Sequence, residues 1–193
     1  MATVIDICNG ALSQIGASVI TSLSEDSKNA EVCNQRYAPV KDAVLRSHPW
    51  NCAVTRVTLT PTGTEPDFEF ANAFAIPSDC LRLLNLSYLD IPHRLERNQI
   101  LCNEATIEVM YVADVDPSFW DALLLESVTA ALAADIAYAI VGSTSLADYY
   151  RALYADKLKE ARFVDATEGT PASIDSVAAA GSLEADVFIR SRY

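Results

Sequence analysis

The spacing of apolar residues changes period twice along this chain, and those two changes limit its fold more than any other feature. Up to residue 51 the apolar positions recur three and four apart, as on one face of a helix. From Cys52 to about Val115 they alternate with polar positions in a Val- and Thr-rich stretch, as strands do. At Asp116 the helical spacing returns. Strands grouped in one block between helical blocks imply an α+β fold rather than a wound parallel sheet. The expected architecture is an antiparallel four-helix bundle formed by residues 1–51 and 116–166. Residues 52–115 form an inserted small β-sheet domain, sandwich- or barrel-like, and residues 167–193 an extended C-terminal arm.

The local signals divide these blocks. Val4, Ile5, Cys8, Ala11, Leu12 and Ile15 mark a first helix over 3–15, which Gly16 can end in the left-handed conformation. A second helix should start near Ser24, with the stripe Ala30, Cys33, Tyr37, Val40 and Val44 and with Pro39 kinking it or thinning its hydrogen bonds. His48-Pro49-Trp50 stops it, because the residue before a proline is driven out of the helical region. Strands are expected at 52–60, Phe68–Ala75, Leu81–Tyr88, Arg94–Cys102 and Thr106–Val112, with Asn103-Glu104-Ala105 as a hairpin turn between the last two. Asp116-Pro117 should cap and open a long helix ending at Val141 and Gly142. Ser143, Thr144 or Ser145 caps a fourth helix, with Asp148 placed for a capping box on Ser145 and an apolar face from Leu146 through Tyr149, Tyr150, Leu153, Tyr154 and Leu158 to Ala161. Beyond it, Gly169, Pro171, Gly181 and several serines interrupt any period. With few large apolar side chains to offset the entropy of ordering, that segment should gain order only on another chain.

Charge and cysteine usage exclude several classes. The 193 residues carry a formal charge of −12, a surface that repels phosphate and argues against gripping nucleic acid by counterion release. It suits a wall past which DNA slides, and equally suits ordinary solubility. Cys8, Cys33, Cys52, Cys80 and Cys102 are odd in number and widely spaced, a pattern of reduced, buried thiols rather than of a disulfide framework. The N-terminus reads as no signal peptide, and Ala130–Val141 is too short and too interrupted by Asp135 to span a bilayer, so no membrane partner is expected.

Reactive constellations are sparse. His48 and Cys52 lie four apart, either as a thiol–imidazole pair or as a helix-terminal histidine beside a buried thiol, and Pro49 between them disfavours one helical face. Gly142-Ser143-Thr144-Ser145 precedes a helix but lacks the glycine and lysine of a phosphate loop, so it reads as a cap. Glu126 with Asp135, and Asp148 with Asp156, read as solvated helix faces; Asp135, set among alanines, needs Tyr138 or a basic side chain if buried. Tyr149, Tyr150 and Tyr154 read as core or subunit interface before a base-stacking platform. No enzyme, metal site or cofactor is expected.

Several segments resemble one family. Ile7-Cys8-Asn9-Gly10-Ala11-Leu12-Ser13-Gln14-Ile15-Gly16, then Ile20 to Ser27, then Val44-Leu45-Arg46-Ser47-His48-Pro49-Trp50-Asn51, are similar to the tail tubular protein A, or head-to-tail adaptor, family of short-tailed phages. Ile76-Pro77-Ser78-Asp79-Cys80-Leu81-Arg82, Val109-Met110-Tyr111 and Asp116-Pro117 continue the resemblance in the same order, over roughly residues 4–165. It implies a helical body with a β-rich insertion, and a structural virion protein assembled in the host cytoplasm. It implies a homo-oligomeric ring, usually of twelve copies, between the portal protein and a tail nozzle of the tail tubular protein B type. DNA would pass through the lumen during ejection without specific binding. It further implies a C-terminal extension docking on the portal or a neighbouring subunit, with Phe188, Ile189, Arg190, Arg192 and Tyr193 as anchors. The alternative within this class is a head-completion adaptor of a long-tailed phage, whose ring binds a stopper. A small cell-wall hydrolase and a DNA-binding regulator are the readings from other classes; the first lacks a catalytic set and the second is disfavoured by charge.

Overall fold

The computed structural model describes residues 2–63, 66–86 and 91–168. Over these the chain is mixed α and β: four helices and two small antiparallel sheets. The helices are α1 (Val4–Gln14), α2 (Lys28–Arg46), α3 (Ala122–Val141) and α4 (Thr144–Thr167). The strands are β1 (Val54–Leu59), β2 (Asn72–Ala75), β3 (Cys80–Leu86), β4 (His93–Glu96), β5 (Gln99–Cys102) and β6 (Ile107–Ala113).

Helix ends follow their capping chemistry. Thr3 and Asp6 close a capping box on α1, each side chain accepting from the other's backbone N–H. At its far end Gly16 (φ +73°) donates to Ser13 and Ala17 to Leu12, the bond pattern of a left-handed helix stop. The second helix starts three residues later than expected, because Ser27 accepts from Ala30 N–H while Glu25 folds back to accept from Thr21. Pro39 lies on the exposed side of α2, which continues past it to Arg46. The long helix does not begin at Asp116-Pro117. Those residues open a 3-10 turn, Pro117–Phe119, and Trp120 is extended (ψ 144°). Asp121, accepting from both Leu123 and Leu124 N–H at 2.8 and 3.0 Å, is the better cap and starts α3. Likewise Ser143 alone caps α4, and Asp148 pairs with Arg151 at 2.6 Å instead of closing a box on Ser145.

The sheet region holds the largest departure. Arg94–Cys102 is not one strand but a hairpin, β4–β5, turning at Arg97-Asn98 with φ of +46° and +66°. Two consecutive left-handed residues match the twist of the flanking strands, and Asn tolerates that conformation. Asn103-Glu104-Ala105 therefore joins two sheets rather than two paired strands: β5 pairs with β2 and β4, while β6 pairs with β1 and β3. Of Phe68–Ala75 only Asn72–Ala75 is paired, since Asn103 Oδ1 takes the Ala71 N–H that a strand would direct to a neighbour. The third expected strand runs Cys80–Leu86; its end at Tyr88 lies outside the described residues.

Two apolar cores result. Both sheets feed one, through Phe74, Leu86, Ile100, Cys102, Ile107, Val109, Tyr111 and Ala113. The other is helical, with Ile7, Leu12, Leu45, Trp50, Leu124, Leu132 and Ile136 fully or almost fully buried. Its axis is α3, against which α1, α2 and α4 all pack. Gly10 permits the closest approach: a Cβ there would stand 3.0 Å from Thr129 Cγ2. α3 is long and apolar enough to cross a membrane, but ten of its 20 residues are buried under the rest of the fold, which accounts for its composition. Val112, on the reverse face of β6, belongs to the helical core and ties the layers together.

Candidate functional site

The corner after α2 holds His48 and Cys52, the residues singled out by sequence, together with a partner the sequence did not point to. His48 Nε2 lies 2.9 Å from Asp165 Oδ2, on the last turns of α4, so the imidazole is committed to a carboxylate rather than to Cys52. Burial, with the nearby carboxylates of Asp121 and Asp165, pushes the Cys52 thiol up to about 11. A catalytic thiol is activated by the opposite shift. Trp50 is fully buried, donates its indole N–H to Val44 O, and packs edge-on against His48 at 4.7 Å between centroids. Asn51 donates its backbone N–H to Asp165 Oδ1 at 2.9 Å and its amide to Asp165 O at 2.7 Å. Sequence reasoning missed Asp165, which is 114 or more residues from its partners and carries no local signal.

The other thiols are set as hydrophobes. All five cysteines are free; Cys8, Cys33 and Cys102 are buried and Cys52 and Cys80 half-buried. The hydrogen bond with Cys33, together with burial, raises Cys8 far above the ordinary thiol range. Burial also raises Cys80 and Cys102. Among the described residues no three His, Cys, Asp or Glu side chains converge as a metal site.

Of the carboxylates considered as pairs, Glu126, Asp135 and Asp148 each have a cationic partner. Asp135 is exposed, so the burial that would demand a partner is absent, although Arg36 donates to it with Nη2 at 3.0 Å; Lys157 pairs with Glu126. Lys41, on α2, pairs with Asp114 just past β6, bracing the sheet layer against the helices. Tyr150 donates its hydroxyl to Gln14 O at the end of α1 and is buried, whereas its neighbour Tyr149 is 61% exposed. Tyr154 is half-buried, and desolvation raises its phenol.

Most of the remaining character is surface. Tyr138 (63%) on α3 and Tyr149 and Phe163 (71%) on α4 stand exposed, although the opposite sides of these helices form the core. A groove of about 660 Å³ runs where Ala2 to Ile5, Ser22, Leu23 and Asp116 to Ser118 meet, beside the exposed Phe119. Phe188, Ile189, Arg190, Arg192 and Tyr193, the expected anchors, lie outside the described residues. No family model matches the chain, and no curated protein matches it.

Proposed function

We propose that this protein is a structural subunit of a head-to-tail adaptor ring, joining a portal protein to a tail nozzle around the DNA channel of a phage virion. The observation that carries the reading is the exposure of Tyr138, Tyr149 and Phe163 on helices whose other sides are buried. Large apolar side chains left on the outside of an ordered helical pair are the raw material of a protein–protein interface. The resemblance carried by the segments named above supports it further. Asn9, Gly10, Gly16, His48 and Trp50, all within the resembling segments, are placed at tight structural junctions rather than scattered on the surface.

In this reading the helices act as an antiparallel four-helix bundle and the sheets as its inserted domain. The 167–193 arm, through Phe188, Ile189, Arg190, Arg192 and Tyr193, docks on the portal or on a neighbouring copy. Function is geometric rather than catalytic: self-assembly, two binding faces, and a lumen whose negative charge keeps DNA moving. End-on electron micrographs of the protein mixed with portal protein test it. Closed rings are expected; sedimentation as a monomer alone, with portal present, would remove the proposal.

A further inference from the structure

Asp165 is the one charged side chain among the described residues that falls in the buried class, at 7% exposure. Buried carboxylates persist only where donors converge on them. Here two do, His48 Nε2 and the Asn51 N–H, each at 2.9 Å. The Asn51 amide meanwhile donates to the Asp165 carbonyl, which also accepts the Glu168 N–H of the helix cap at 3.4 Å. One turn earlier, Arg162 donates Nη2 to Ser47 O at 3.2 Å.

These polar contacts carry an unusual share of the holding. After Ala161, α4 has no fully buried apolar side chain: Val164 is half-buried, and Phe163, Ala166 and Thr167 are exposed. We propose that His48, Asn51 and Asp165 form a latch that seats the last turns of α4 on the corner between α2 and β1. The latch fixes the seat of the helix end up to Glu168. It is a conformational device independent of the adaptor reading, because it rests on contacts within one chain. A segment held by few apolar contacts opens locally when its polar contacts are cut.

Hydrogen exchange on the full chain, followed by mass spectrometry, tests this with Asp165→Ala, His48→Ala and His48→Gln. Amides of residues 162–168 should exchange about tenfold faster in the first two variants, with α3 amides unchanged. His48→Gln, which keeps a donor for the carboxylate, should restore part of the protection. Unchanged exchange at 162–168 in both alanine variants would overturn the latch. So would acceleration spread equally over α3, which would mark a general loss of stability.

Discussion

Asn9 looks out of place among the apolar residues of α1 until its partners are named. Its amide donates to Ile20 O at 2.9 Å and its carbonyl accepts from Ile20 N–H at 2.8 Å, so one side chain satisfies both backbone groups of a residue only 2% exposed. Ile20 thereby enters the core without a strand or helix around it. Leaving buried backbone groups unpaired costs about 1–3 kcal/mol. Asn9→Ala should therefore lower stability by about 2 kcal/mol in urea unfolding. Asn9→Asp, which retains the acceptor and loses the donor, should fall between it and the natural protein. At this scale the sequence announces which residues are special without saying why: Asn9 and Gly10 stand adjacent, one bonding the 17–20 loop and the other admitting Thr129.

Elements were legible wherever the governing signal was local. The stripe of α2, the stop at His48-Pro49 and the left-handed Gly16 and Gly142 all act within one turn, and all appear where the spacing placed them. Gly142 has nothing within 4 Å of where a Cβ would stand, yet its φ is +74°. Gly142→Ala should accordingly cost about 1 kcal/mol, from backbone strain alone, read as a lower unfolding midpoint. Competing signals were not legible. Asp116 and Asp121 both offer a cap, and choosing between them depends on Trp120, whose indole bonds Val115 O and which packs on the helical core. Arg97-Asn98 carries no glycine, so the hairpin it makes is hidden inside what reads as one strand. The His48–Asp165 contact spans 117 positions, and no periodicity reaches that far.

Across the whole molecule, charge is distributed with a direction. Asp6, Glu25 and Asp116 are each held below the usual carboxylate range by hydrogen bonds, from Thr3, Thr21 and Ser118 respectively. Thr3 and Asp116 line the same groove, and Glu25 lies just beyond its wall at Ser22 and Leu23. A carboxylate whose folded pKa is depressed stabilises the fold above its unfolded value, about 3.9 for Asp and 4.3 for Glu, and ceases to as pH falls through the lower folded value. Their contribution to stability should therefore weaken on acidification. The unfolding midpoint should drop between about pH 5 and 3, less steeply in a variant carrying Asp6→Asn, Glu25→Gln and Asp116→Asn. Equal slopes in the two proteins would show that these carboxylates do not govern acid sensitivity.

The path of the main chain between the two layers has its own result. It leaves the helices at Ala53 and returns at Ala113, and these two residues bond each other directly, Ala113 N–H to Ala53 O at 2.8 Å. β1 and β6 are zipped from Val54 opposite Val112, and beside them β3 rests on the helices, with Arg46 bonded to Leu81 O and Leu81 and Leu84 packed on the helical core. Excising the sheets at this seam would take Val112, Leu81 and Leu84 out of the helical core, so the two layers stand or fall together.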